Sequence, residues 1–171
     1  MKQIRKNIKK TLVFTGLFLF GFNCLYAQEV PQPDFANVPA FYIEGTNELR
    51  NSAKENVIMA GKMMKAMYEL QGTSSKVRIK QTDNYIIVVK PLAEIDPSTM
   101  IQLKKMTVKK KNRQALMAQM QGFKVTTSKD DIPYNLKKLG NDVYQIIPES
   151  PLAPGEYMFM VGATAYSFGI E

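Results

Sequence analysis

Carboxylates, thioethers, hydroxyls and amines are the side chains here that could do chemistry. The 171-residue chain has no histidine, no tryptophan and a single cysteine, Cys24. Without imidazole or a second thiol, a Ser-His-Asp triad, a Cys-His pair and an ordinary zinc site are all unavailable. The sequence also lacks a Gly-x-x-x-x-Gly-Lys phosphate loop, a G-x-G-x-x-G turn and an acidic calcium loop. A carboxylate pair, a Ser-Lys pair or thioether binding of a soft metal remains, and no cofactor is implied.

Asp83, Glu94, Asp96, Asp130, Asp131, Asp142, Glu149 and Glu156 are dispersed. Two of them could meet as the acid and base of a glycan hydrolase. Their placement at turns fits the plainer role of closing turns and solvating loops. Methionines cluster at Met59, Met63, Met64, Met67, Met117, Met120, Met158 and Met160. Met-x-x-Met spacing at Met64/Met67 and Met117/Met120 suits copper(I) in an exported carrier. Thioethers also fill irregular apolar cores, and each of these falls where a core residue is expected.

The strongest surface feature is basic. Between Asp96 and Asp130 there is no acid, and Lys104, Lys105, Lys109, Lys110, Lys111, Arg113, Lys124 and Lys129 are all positive. Such a face suits an envelope protein or an anionic surface, whether glycan or lipid headgroup. Lysines also protect edge strands from pairing. Residues 98–122 have no interleaved aromatics, which argues against a nucleic-acid platform. The candidate binding set is Lys104, Lys105, Lys109, Lys110, Lys111 and Arg113.

The amino terminus fits a secretory signal over residues 1–27. Lys2, Arg5, Lys6, Lys9 and Lys10 precede an apolar run from Leu12 to Phe22, and Leu25-Tyr26-Ala27 ends in a small residue before Gln28. The run is shorter than the ~20 residues that span a bilayer. Gly21-Phe22-Asn23 ahead of Cys24 puts a bulky ring and an amide where a lipidation site has small residues. Cleavage near Ala27 places residues 28–171 in the periplasm, at the cell surface or outside the cell. Of 23 basic residues, the signal removes 5 and no acid; 18 remain against 15 acids, so the formal charge falls from +8 to +3. Much of the global basicity therefore says nothing about the mature protein's partners.

A Pro-containing lead, residues 28–40, precedes one domain over 41–171. Phe41-Tyr42-Ile43 reads as a strand. Leu49, Ala53, Val57, Ala60, Met64 and Met67 recur every three or four residues and predict an amphipathic helix ending near Gly72. Gly61 weakens that helix by about 1 kcal/mol relative to Ala. The alternative is a hairpin in which Met64, Ala66, Tyr68 and Leu70 alternate with charged residues and Ala60-Gly61-Lys62 turns the chain. Val77 and Ile79 alternate with cations, and Tyr85–Val89 should be a central buried strand. Met100–Val108 reads as a strand and Asn112–Gly122 as polar and helix-favouring. Strands are further expected at Phe123–Val125, Tyr134–Leu139, Val143–Ile147, Tyr157–Val161 and Ala165–Ile170. Gly140-Asn141-Asp142 and Gly162 supply turns, and Pro154-Gly155 fits a type II turn.

Leu152-Ala153-Pro154-Gly155-Glu156-Tyr157, followed by Tyr166-Ser167-Phe168-Gly169-Ile170-Glu171, resembles the L-x-P-G-E-Y … F-G-[IV]-[DE] ending of small exported bacterial proteins of unknown function. The resemblance extends over residues 64–171 and implies a mainly β fold, with a hairpin over 63–72. It implies no activity. Short strands with Pro, Gly and Asp punctuation give the same class: a single antiparallel β-sandwich or barrel-like domain, with one or two short helices. The function expected is a non-catalytic binding or scaffolding module of the cell envelope.

Overall fold

A computed structural model describes residues 32–62, 65–92, 96–121, 124–126 and 128–171. The expected signal, Cys24, Met63, Met64, Glu94 and Phe123 lie outside these residues. In chain order the strands are β1 (Ala40–Ile43), β2 (Glu48–Asn51), β3 (Ala53–Glu55), β4 (Ile58–Lys62), β5 (Lys65–Gln71), β6 (Arg78–Ile79) and β7 (Tyr85–Val89). A one-turn helix, α1 (Pro97–Met100), precedes β8 (Ile101–Lys109), β9 (Asn112–Gln121), β10 (Lys124–Thr126), β11 (Tyr134–Gly140), β12 (Val143–Pro148), β13 (Gly155–Val161) and β14 (Thr164–Ile170). Asp96 caps α1 by accepting from Ser98 N.

Two sheets form, as the strand-rich reading expects. The first has the order β11-β12-β7-β1-β2 and is antiparallel. The β-branched run of β7 takes its central place, flanked by β12 and β1. The second runs β3-β14-β13-β8-β9-β5-β4, with β10 beside β9 and β6 parallel to β14.

Side-chain alternation divides the second sheet. Tyr157, Phe159 and Val161 of β13, with Tyr166, Phe168 and Ile170 of β14, meet Phe41, Ile87, Val89 and Ile146 of the first sheet. Phe168 stacks with Tyr157 and Phe159 at 5.3 and 5.1 Å. The opposite parity, Met158, Met160 and Ala165, closes on Tyr68, Leu70, Met106 and Ala115 of the same sheet. The second sheet therefore curls over a core of its own. β13 and most of β14 are buried on both faces.

Two segments correct the helical expectations. Glu48–Asn51, Ala53–Glu55, Ile58–Lys62 and Lys65–Gln71 are strands β2 to β5, and Asn112–Gln121 forms β9. Ala60 pairs with Met67, Gly61 with Ala66 and Lys62 with Lys65, so Ala60-Gly61-Lys62 lies within β4 and is not the turn. A register shift between Ala66 and Met67 leaves Met117 as the extra residue of β9. Gly140, Asn141 and Asp142 turn as expected, with φ of 130°, 46° and 60°. The Pro154-Gly155 step does not close a type II turn: Gly155 enters β13 at φ 155°.

Candidate functional site

The six basic candidates do not form one face. Strand alternation sends Lys105 and Lys109 outward but turns Lys104, with Met106, into the curled sheet. Arg113 turns inward with Ala115, while Asn112 and Gln114 take the other parity. Lys104 and Arg113 are each 1% exposed. The expected face therefore loses two members, because consecutive cations on a strand cannot all point one way. Lys105, Lys109, Lys110 and Lys111 are exposed. They make no ion pair among the described residues. Lys109 to Lys111 form the tip of the β8–β9 hairpin, where Lys109 pairs with Asn112.

Lys104 serves a structural purpose. β8 and β9 pair only at Thr107–Lys109, and beyond that the two strands part. Residues 130–132 fill the gap along β8: Lys105 N donates to Asp130 O and Ile132 N to Leu103 O, both at 2.8 Å. On β9, Leu116 N donates to the Asp130 carboxylate at 2.7 Å, and Leu116 O accepts from Lys104 Nζ at 3.2 Å. The same ammonium pairs with Asp131 and lies 5.7 Å from the Tyr68 ring centroid. Lys104 thus satisfies a strand carbonyl that lost its neighbour. Burial, and then the Asp131 charge, push the Tyr68 phenol above its ordinary 10.0. Beside this split lies a cleft of about 840 Å³ bordered by Ile101, Leu103, Met117, Ile132, Tyr134 and Leu136.

Arg113 organises the other end of the curled sheet. Its Nη2 donates to Glu55 Oε2 at 2.6 Å and Gln71 O at 3.0 Å, and its Nε to Gly72 O at 3.2 Å. Nη1 has no hydrogen-bond partner among the described residues and faces Glu156 Oε2 at 3.6 Å. Glu55 also accepts from Ser167. Ser75 Oγ lies 2.8 Å from Ser167 Oγ. A hydroxyl has one proton to give, so Ser75 donates to Ser167 and Ser167 to Glu55.

Glu156 links this network to the C-terminal motif. Its Oε2 accepts from Ser75 N at 2.8 Å, and its Oε1 pairs with Arg78. Arg78 Nε also reaches Glu171 at 3.2 Å, and a methyl group at Gly169 would overlap its guanidinium. Glu156, Gly169 and Glu171 thus converge on one arginine. Leu152 is buried at the same hairpin, and Tyr157 OH donates to Ala153 O at 2.5 Å. Sequence reasoning missed Glu55, Ser75, Arg78 and Ser167 as members of this cluster. Period-two parity on β14, which puts Ser167 and Gly169 on one face, was the available signal.

A cavity of about 470 Å³ borders Glu55, Arg113, Lys54 and Lys76. Glu156 and Glu171 meet at Arg78, and Glu55 and Glu156 both approach Arg113. Both are held by cations and hydroxyl or amide donors, and Glu156 is not among the described residues lining that cavity. Met106, Met158 and Met160 lie in the second core, whereas Met59 and Met117 are exposed on separate strands. The Met64/Met67 and Met117/Met120 spacings each involve a side chain outside the described residues. Among the described residues, no helix is long and apolar enough to cross a membrane.

No family model, curated protein or solved structure matches the chain.

Proposed function

We propose that this chain is an exported, non-catalytic β domain that binds in the cell envelope and docks through the lysine tip of the β8–β9 hairpin. One contrast carries the reading. The interior charges Lys104, Arg113, Glu55 and Glu156 are each engaged by an opposite charge, Lys104 by Asp131 and the other three among themselves, and Lys104, Arg113 and Glu156 also meet backbone groups. Lys105, Lys109, Lys110 and Lys111 are exposed and make no ion pair among the described residues. Their complement is a surface rich in anionic groups, in the form of lipid headgroups or acidic glycans.

The test uses the protein recovered from its own envelope and co-sedimentation with that envelope fraction. Binding is expected at about 0.05 M salt and release at about 0.5 M, because exposed charges are screened beyond a few ångströms there. A Lys109→Glu/Lys110→Glu/Lys111→Glu variant is expected to stay in solution. Binding that survives the higher salt, or turnover of an envelope glycan at enzymic rates, overturns the reading.

A further inference from the structure

The tip of the β8–β9 hairpin departs from the turn chemistry of the β11–β12 and β13–β14 hairpins. Gly140, Asn141 and Asp142 close the β11–β12 hairpin, and Gly162 opens the β13–β14 turn at φ 59°. These are residues that tolerate positive φ. The β8–β9 turn instead runs through Lys110-Lys111, with Lys110 itself at φ 50°. A side chain with a Cβ is strained there, and lysine gains no local hydrogen bond in return as asparagine does. Local strain of this kind is a pointer to a requirement other than folding.

Immediately before the three lysines stands Val108, which is 46% exposed. It pairs with Arg113, so it shares the parity of the curled sheet's interior but lies at its open end. A soluble polyanion makes use of the lysines alone. A bilayer interface makes use of both features: the ammonium groups meet anionic headgroups, and the apolar side chain beside them leaves water for the acyl boundary.

We infer that the β8–β9 hairpin tip, Val108 to Lys111, docks on the headgroup surface of an anionic phospholipid bilayer. This rests on the docking reading above and narrows it from anionic surfaces in general to lipid. The docking is peripheral and reversible, because three cations and one aliphatic side chain bind far more weakly than a spanning segment.

The experiment measures partition of the recovered protein onto vesicles of phosphatidylcholine with about a quarter phosphatidylglycerol, onto vesicles of phosphatidylcholine alone, and onto heparin. Binding is expected on the anionic vesicles and not on the neutral ones. Lys109→Gln/Lys110→Gln/Lys111→Gln should lower it on the order of a hundredfold, about fivefold for each cation. Val108→Thr keeps the β-branched shape and should weaken vesicle binding about threefold with heparin binding unchanged. Lys110→Asn keeps the turn and serves as the variant whose folding is not in question; it should weaken vesicle binding about fivefold. Heparin binding equal to vesicle binding, with no effect of Val108→Thr, overturns the lipid inference and leaves the docking reading standing. Binding to neither anionic vesicles nor heparin overturns both.

Discussion

Gly169 carries no side chain where Arg78 needs room to reach Glu156, and that single steric fact explains three positions of the C-terminal motif. Gly169→Ala should displace the guanidinium and leave the buried Glu156 short of a partner, at a cost of about 3 kcal/mol. Urea unfolding checks this. In an Arg78→Ala background the same methyl should cost much less, because the atoms it would strike are gone. An equal penalty in both backgrounds would show that the clamp is not the cause. At this scale the sequence was legible only in part. Glu156 stands in a legible motif, but its arginine partner lies 78 residues upstream in a two-residue strand. Lys104 and Arg113 were read as surface cations because charge suggests solvent. Their parity with Met106 and Ala115 points the other way, and it outweighs the preference because each finds a carboxylate and orphaned carbonyls inside.

The β4–β5 hairpin is where local pattern and outcome diverge most. The recurrence of Leu49, Ala53, Val57 and Ala60 resembles one helical stripe, yet these residues fall on β2, β3, a connecting residue and β4. The first belongs to one sheet and the others to its neighbour, so the period has no single element behind it. β9 misled for a related reason: Gln, Ala, Leu and Met favour helices, but Ala115 is needed as a small residue against Tyr68 in the curled sheet. The segments that were legible, β7 and the hairpins of β11–β12 and β13–β14, combine β-branched or aromatic runs with turn residues of defined φ. The two readings of residues 47–71 predict opposite signs for one substitution. In a helix Gly61→Ala stabilises by about 1 kcal/mol. In the hairpin Gly61 sits at φ 135°, and a methyl would strike the Lys65 carbonyl. The variant should therefore lower the thermal midpoint by several degrees, the response of a domain this size to about 1–2 kcal/mol.

Considered whole, the molecule is a sandwich of a five-stranded sheet and a curled one, with tyrosines distributed through its interior. Burial raises the phenol pKa of Tyr157 and Tyr166, and of Tyr85 and Tyr134 with smaller help from neighbouring charge, above the ordinary 10.0. The folded state thus holds these protons at a pH where the unfolded chain has begun to release them. Their contribution is fully present below pH 10.0 and is lost as the pH rises through the folded values. Alkaline titration should show phenolate absorbance appearing together with loss of the β-sheet circular dichroism. Phenolate formation completed while the sheet signal is intact would contradict the burial described.

β13 and β14 contribute to both interiors at once, and in chain order they follow every other strand. While a ribosome is still making residues before 155, neither apolar chamber has its shared wall. The first sheet and the β8-β9-β5-β4 segment can pair before then, but each leaves an apolar face open to water until β13 and β14 arrive. The nascent chain therefore gains cooperative stability late and in one step, and its folding rate is set by pairing distant partners such as Ser167 with Ala53.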